Sequence, residues 1–310
     1  MGLDQDVDIL RDVLSCAGHD VTVSHCREIN PFDRWLISKP RFDANIFLER
    51  IFPRWFGSAR INMLIPNQER YPKRHIARLK KIEHVLCKSR HAESIFNAFQ
   101  KSNYIGFTST DRSLPDIAAN YEKFFHLAGR STLKGTDALL SVWKRHPEWP
   151  TLTLLQCREN APKNIPKNVN HIADYVSNEQ LQQLLNEHGV HLCPSLSEGW
   201  GHYIVEAMSC SALTLTTDAP PMNELVIHGR GYTVPYDSSE ARHLGTNFHV
   251  SEDQLEASIE EIIGLPTEAK QTIGKASRAW FESNNSTFRT HLPEVIDQLM
   301  NHASPRSNEI

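Results

Sequence analysis

Short apolar runs alternate with helical or polar stretches along most of this 310-residue chain, and that alternation leaves few folds open. Residues 6–17 place Val7, Leu10, Val13 and Leu14 at helical spacing, and Gly18 sits where a glycine would end the helix. Strand-like runs follow at 18–23, 42–47, 60–65 and 82–87, the last leading into a helix over 90–99. After an irregular stretch at 106–115 the pattern restarts. Strands are expected at 122–128, 151–155, 169–173, 190–193, 213–217 and 231–234. Helices are expected at 135–145, 178–187 and 202–210, with a mostly helical tail over 252–300. Such alternation implies parallel sheets with helices on both faces, and the restart implies two of them. The expected architecture is α/β with two Rossmann-like, doubly wound domains, residues 1–115 and 116–310, the second ending in the helical tail.

Composition narrows the class. No run approaches the roughly 20 apolar residues that span a bilayer, and the N-terminus has neither a basic nor an apolar leader region. The six cysteines (Cys16, Cys26, Cys87, Cys157, Cys193, Cys210) are scattered with no C-x-x-C pair, which fits a reducing compartment better than a disulfide or zinc framework. His191 and Cys193 could be paired metal ligands, but the alternating faces of a strand explain their spacing more simply, so no metal site is expected. The expectation is a soluble cytoplasmic protein. Charge is unevenly spread: between Arg41 and Thr110, 13 Lys or Arg stand against 5 Asp or Glu, a net of +8 that leaves −12 for the rest of a chain totalling −4. A basic half joined to an acidic half suggests that one domain meets an anionic partner.

Two segments carry candidate chemistry. In the first, the apolar strand at 190–193 ends at Pro194, and a Ser/Gly loop leads through Glu198, Gly199, Trp200 and Gly201 into a helix bearing Glu206. Glycines at a strand-to-helix junction let a ligand approach the backbone, and the helix N-terminus offers unpaired N–H groups to an anion. Glu198 and Glu206 could grip hydroxyls from two depths of one cleft, although two glutamates at this spacing are also common on any surface helix. In the second segment, the strand at 122–128 ends in Gly129-Arg130, with Lys134 and Gly135 at a helix start. Two cations beside a helix N-terminus could neutralise a diphosphate leaving group without a metal; equally, Arg and Lys on a loop are often just solvated.

Taken together and in this order, the two segments resemble the retaining GT-B glycosyltransferases with the E-x7-E motif (glycosyltransferase family 4-like, glycosyl transferases group 1). The resemblance covers about residues 122–235, and Thr217-Asp218 with Asn223-Glu224-Leu225-Val226 also resembles the turn and helix after that motif. It implies two domains facing a cleft, and a hexose transferred with retention from a nucleotide-diphosphate sugar such as UDP-glucose, with no metal or other cofactor required. By the same resemblance, Arg130 and Lys134 would hold the diphosphate, Glu198 the sugar hydroxyls and Glu206 the ribose. Gly199, Trp200 and Gly201 would lie against the donor, and Tyr175 and Val176 would contact the base. In the N-terminal half the family's usual first strand and glycine-rich turn are missing, which leaves that domain one strand short.

The acceptor side is read from strand ends. Glu49, Asn67, Glu69 and Lys88 (followed by Ser89) each follow a strand of the N-terminal half, where ligands of open α/β sheets bind; the alternative is caps and surface pairs. The run at 70–81, rich in Arg and Lys, is either a solvated helix face or a contact to an anionic partner. DNA carrying a hydroxylated base is one candidate acceptor, and such a base would have to be flipped out of a duplex. Other readings are a transferase for cell-envelope or lipid-linked glycans, a non-catalytic sugar-nucleotide-binding relative, and a glycoside hydrolase using Glu198 and Glu206. Oligomeric state is left open by the sequence.

Overall fold

The computed structural model describes residues 2–25, 40–161 and 164–302, which divide into two compact units. The first takes the described residues up to Thr108, Arg242–Gly245 and those from Asn285 onward; the second takes Ser109–Ala241 and Thr246–Asn284. Each unit is built on its own parallel sheet.

In the first unit, helix α1 (Gly2–Cys16) buries Asp6, Ile9, Leu10, Val13 and Leu14 along one stripe. It closes on Gly18 at φ +94°, where the N–H of His19 reaches back to the carbonyl of Leu14. The strand expected at 18–23 does not form: residues 19–25 have no regular structure, and Val23 is 52% exposed. Two alternating valines imitate the period of a strand, but among the described residues no neighbouring strand pairs with them. The four-stranded sheet runs β1 (Phe42–Glu49), β2 (Ala59–Pro66), β3 (His84–Cys87), β4 (Ser102–Tyr104), in that spatial order and all parallel. β2 reads as a nearly continuous apolar run because it is buried on both faces, the signature of a central parallel strand. The basic run, read as either a solvated helix face or a contact to an anionic partner, folds as a 3-10 turn (Lys73–His75) and the single helical turn α2 (Ile76–Leu79). Tyr71, Leu79 and Ile82 sink beneath that run onto Phe96 of α3 (Arg90–Phe96), leaving the cations outside.

The second unit holds β5 (Asn120–Gly129), α4 (Thr136–Arg145), β6 (Leu152–Gln156), β7 (Val169–Ile172), α5 (Asn178–Glu187), β8 (His188–Cys193), α6 (His202–Ser209), β9 (Leu213–Thr217), α7 (Met222–Leu225) and β10 (Tyr232–Val234). Its strands lie in the order β10-β9-β8-β5-β6-β7, all parallel. The chain winds outward from β5 to β7, then returns to lay β8 on the other side of β5 and winds outward again. β5 and β8 therefore flank the topological switch point, where the loops at their C-terminal ends diverge and leave a crevice. Trp143, Leu139, Leu152, Leu154, Val190, Leu192, Leu213 and Leu215 form the core on one side of the sheet. A further two-stranded sheet, β11 (Tyr236–Arg242) with β12 (Gly245–Val250), precedes α8 (Glu252–Gly264) and α9 (Thr267–His302). No residue pattern announces it, because β11 is polar and exposed and shows no alternation. Among the described residues no helix is long and apolar enough to cross a membrane.

Candidate active site

The loops after β5 and β8 meet at the switch point, and one glycine shows how closely. Gly135 sits at φ +72°, and a Cβ there would stand 2.1 Å from the carbonyl oxygen of Pro194. Only glycine fits such a conformation and such an approach. The N–H of Leu196 donates to the carbonyl of Leu133 at 2.9 Å, so the two loops are joined along their backbones as well. Beneath them His126 is fully buried: its Nδ1 lies 2.7 Å from the carbonyl of Leu192 and its Nε2 2.9 Å from the Thr136 hydroxyl. A carbonyl only accepts, so Nδ1 carries the proton and Nε2 accepts from the threonine. Burial lowers the pKa of this imidazole to about 4 and keeps it neutral, a tie between β5, β8 and the start of α4.

On this base the structure brings together Lys134 and Glu198, 64 positions apart, with Nζ 2.5 Å from Oε1. The Ser195 hydroxyl donates to the same carboxylate oxygen at 2.5 Å and lies 2.6 Å from the Tyr203 hydroxyl. Lys134 Nζ also stands 3.7 Å from the centre of the Tyr203 ring, whose negative face attracts the ammonium. Burial holds the Tyr203 phenol well above its ordinary pKa, so it acts as a hydrogen-bonding group rather than a base. Gly201 at φ +105° leads into α6 without a side-chain cap, as a helix that presents backbone N–H groups to an anion would begin. Trp200 is buried, its indole N–H 3.3 Å from the Ser109 hydroxyl, and His202 Nδ1 lies 2.9 Å from that hydroxyl. Gly199 lies between these groups and Glu198.

The remaining candidates are placed differently. Glu206, buried on α6, is paired with Arg112 (Nε to Oε1 3.0 Å) rather than with the Lys134 cluster. Arg130 is exposed on the turn after Gly129, and its carbonyl accepts from Asn160 Nδ2 at 2.8 Å. Tyr175 is 89% exposed, while Val176 packs on the apolar cluster of Phe125, Leu155 and Leu185 just before α5. In the first unit Glu49 ends β1 at φ +58°, and Asn67 Nδ2 lies 3.4 Å from Glu69 Oε1. Glu69 is buried and pairs with Arg70 at 3.4 Å. Lys88 is buried against Asp6 of α1, its Nζ 4.2 Å from the centre of the Phe107 ring, and Ser89 caps α3.

Sequence reasoning missed Arg112, Ser195 and Tyr203. Ser195 and Tyr203 lie inside the segment already singled out, where a hydroxyl beside a loop carboxylate was a usable signal. Arg112 lay in a stretch read as irregular. Among the described residues, one His/acid group, His146, Glu256 and Glu260, is close enough to share an ion. It lies at the far end of α4, away from the switch point, with both His146 nitrogens within hydrogen-bond distance of Glu148 and Glu256.

Residues 157–279 match the family model described as glycosyl transferases group 1. The match takes in Tyr175, Glu198 and Glu206 and begins after Arg112, Arg130 and Lys134. No curated protein matches the sequence. Among solved structures, a glycosyltransferase from Rickettsia africae superposes with a TM-score of 0.68 at 13% identity, over 94% of this chain and 88% of that one. The pneumococcal O-GlcNAc transferase GtfA, solved with UDP and GlcNAc, gives 0.65 at 15% identity over 87% of this chain. This chain spans only 59% of the length of GtfA. Anabaena Alr3699/HepE, solved with UDP and glucose, gives 0.63 at 16% identity, over 79% of this chain and 74% of that one. The two-unit Rossmann-like architecture is thus the GT-B fold expected from the sequence.

Proposed function

We propose that this protein is a retaining glycosyltransferase that moves a hexose from a UDP-sugar to an acceptor hydroxyl without a metal ion. The observation that carries this reading is the Lys134–Glu198 pair at the switch point, beside the uncapped start of α6. A cation held by a carboxylate and an aromatic face is pre-oriented for charge that develops on a leaving diphosphate. In this mechanism the bond between the anomeric carbon and the phosphate oxygen breaks, and the diphosphate departs with the electron pair. Lys134, Arg130 and the N–H groups at the start of α6 take up its charge, while Glu198 holds hydroxyls of the sugar and Glu206 those of the ribose. The acceptor oxygen bonds to the same face of the sugar, and its proton passes to the departing phosphate. Gly199, Trp200 and Gly201 line the donor, and Tyr175 and Val176 flank the base. UDP is the nucleotide of choice because two structurally similar proteins were solved with it. A glycoside hydrolase pair is less well supported, since each glutamate already lies against its own cation.

For the acceptor we propose an anionic molecule, with DNA bearing a hydroxylated base as the specific case. Lys73, Arg74, Arg78, Lys80 and Lys81 are all exposed, and burial together with Arg78, Arg74 and Arg50 pushes the His75 pKa down. Cations crowded at that density suit a phosphate backbone. Glu49, Asn67, Glu69 and Lys88 are the acceptor-side candidates of the same unit. The deciding experiment is a nucleotide-release screen of UDP-sugars against hydroxylated-base DNA and simple glycans, with and without chelator. Release above the hydrolysis background in chelator is expected; no release with any donor, or strict dependence on a divalent ion, sinks the reading or its metal-free form respectively.

A further inference from the structure

Arg112 is held more firmly than a loop residue needs to be. Its N–H donates to the Ser209 hydroxyl at 3.0 Å, and its carbonyl accepts from Asn186 Nδ2 at 2.7 Å and Gln182 Nε2 at 3.2 Å. Asn186, itself 3% exposed, also accepts from the N–H of Leu114 at 2.8 Å. Next to it, Arg278 donates both to Asp111 and to the carbonyl of Ser209, each at 2.7 Å. The backbone of this short loop is thus tied to both α5 and the end of α6. From that anchor the side chain reaches Glu206, with Nε 3.0 Å from Oε1, and the pair is largely shielded, at 19% and 7% side-chain exposure. Ser209, which receives the Arg112 N–H, donates to the carbonyl of Glu206 at 2.7 Å, so the same contact set grips both the backbone and the carboxylate of Glu206.

The geometry has a specific consequence. A guanidinium is planar and its Nε–H points in one direction, so it holds the carboxylate oxygen along a defined line, which the swivelling ammonium of a lysine does not. Mobile carboxylates lose rotamer freedom on binding a diol, and one already fixed loses less. The exposed pairs of Arg145 with Glu252 and Asp253 lack this anchoring and form a solvated surface network.

We infer that Arg112 is the positioning residue for Glu206, and that it sets affinity for the nucleoside diphosphate rather than the rate of bond cleavage. The inference rests on the proposed assignment of Glu206 to the ribose. The test is calorimetry with UDP and steady-state kinetics with the UDP-sugar, on Arg112→Ala, Arg112→Lys, Glu206→Gln and the double variant Arg112→Ala/Glu206→Gln, each with its melting temperature. Arg112→Ala is expected to raise the UDP Kd and the donor KM about tenfold while kcat stays within about threefold. Arg112→Lys should recover only part of the affinity, and the double variant should be no weaker than Glu206→Gln alone. A merely structural role would lower the melting temperature without splitting KM from kcat. Unchanged UDP affinity in both Arg112 variants, additive losses in the double variant, or a fall in kcat at constant KM would each overturn the inference. Should Arg112→Ala fail to fold, Arg112→Lys with Glu206→Gln decides the matter. A parent protein with no affinity for UDP defeats the ribose assignment and this inference with it; a parent that binds while the variants bind equally well defeats the inference alone.

Discussion

Lys88 and Lys134 are built alike and placed differently. Each follows a strand of a parallel sheet, each is shielded from solvent, and each lies between a carboxylate and an aromatic ring. Asp6 and Phe107 hold Lys88; Glu198 and Tyr203 hold Lys134. The difference lies in where the carboxylate comes from. Asp6 sits on the buried stripe of α1, so its pair with Lys88 fastens a helix to the first unit. Glu198 sits on a glycine loop at the switch point, so its pair with Lys134 joins the two loops where a doubly wound sheet binds its ligands. A buried lysine–carboxylate pair by itself therefore says little about function; the topology around it decides.

Breaking the two pairs should give opposite signatures. Lys88→Met should be the larger stability effect, about 3–5 kcal/mol, because it strands Asp6 in the core. Pairing it with Asp6→Leu should recover most of the loss, as seen in chemical denaturation. Lys134→Met should cost about 100-fold in kcat, or about 2.7 kcal/mol, while melting close to the parent. Equal stability losses at the two sites, with no kinetic loss at Lys134, would erase the distinction.

A separate effect, spread over a pH range, concerns acid. His126, and likewise His191 with its pKa lowered by burial to about 3, are folded in the neutral form, while the unfolded chain protonates histidine near its ordinary value of about 6.5. Their contribution is present above pH 6.5 and is lost as pH falls toward 4 for His126 and toward 3 for His191. Stability should therefore fall as the pH falls through that window, because the unfolded chain takes up protons that the folded chain does not. His126→Asn should flatten the slope between pH 6.5 and 4.5, and an unchanged slope would show that other groups carry it. The smallest effect belongs to the surface: on the proposed DNA acceptor, Lys80→Gln/Lys81→Gln should lower the salt dependence of duplex binding, reducing the log–log slope by about 2, with no change in melting.

Much of this was legible in the sequence. The spacing of Leu152, Leu154, Val190, Leu192, Leu213 and Leu215 located the second sheet, and the glycines at 129, 135, 199 and 201 marked the loops at its switch point. Charge and glycine at strand ends carry local information that survives without coordinates. Partnership does not. The links between Ser195 and Tyr203, Lys88 and Asp6, and Arg112 and Glu206 depend on which elements the topology sets side by side. Period alone also misled at Val21 and Val23, because a strand exists only where another strand accepts its hydrogen bonds.

The approach of Gly135 to Pro194 has a bearing on how such a site can be altered. With 2.1 Å between the carbonyl oxygen and any Cβ, neither loop can be lengthened, tilted or reshaped without displacing the other. Attempts to retune donor preference by grafting one loop from a relative would import a mismatch at that seam. The heritable and engineerable unit is the two loops moved as one piece.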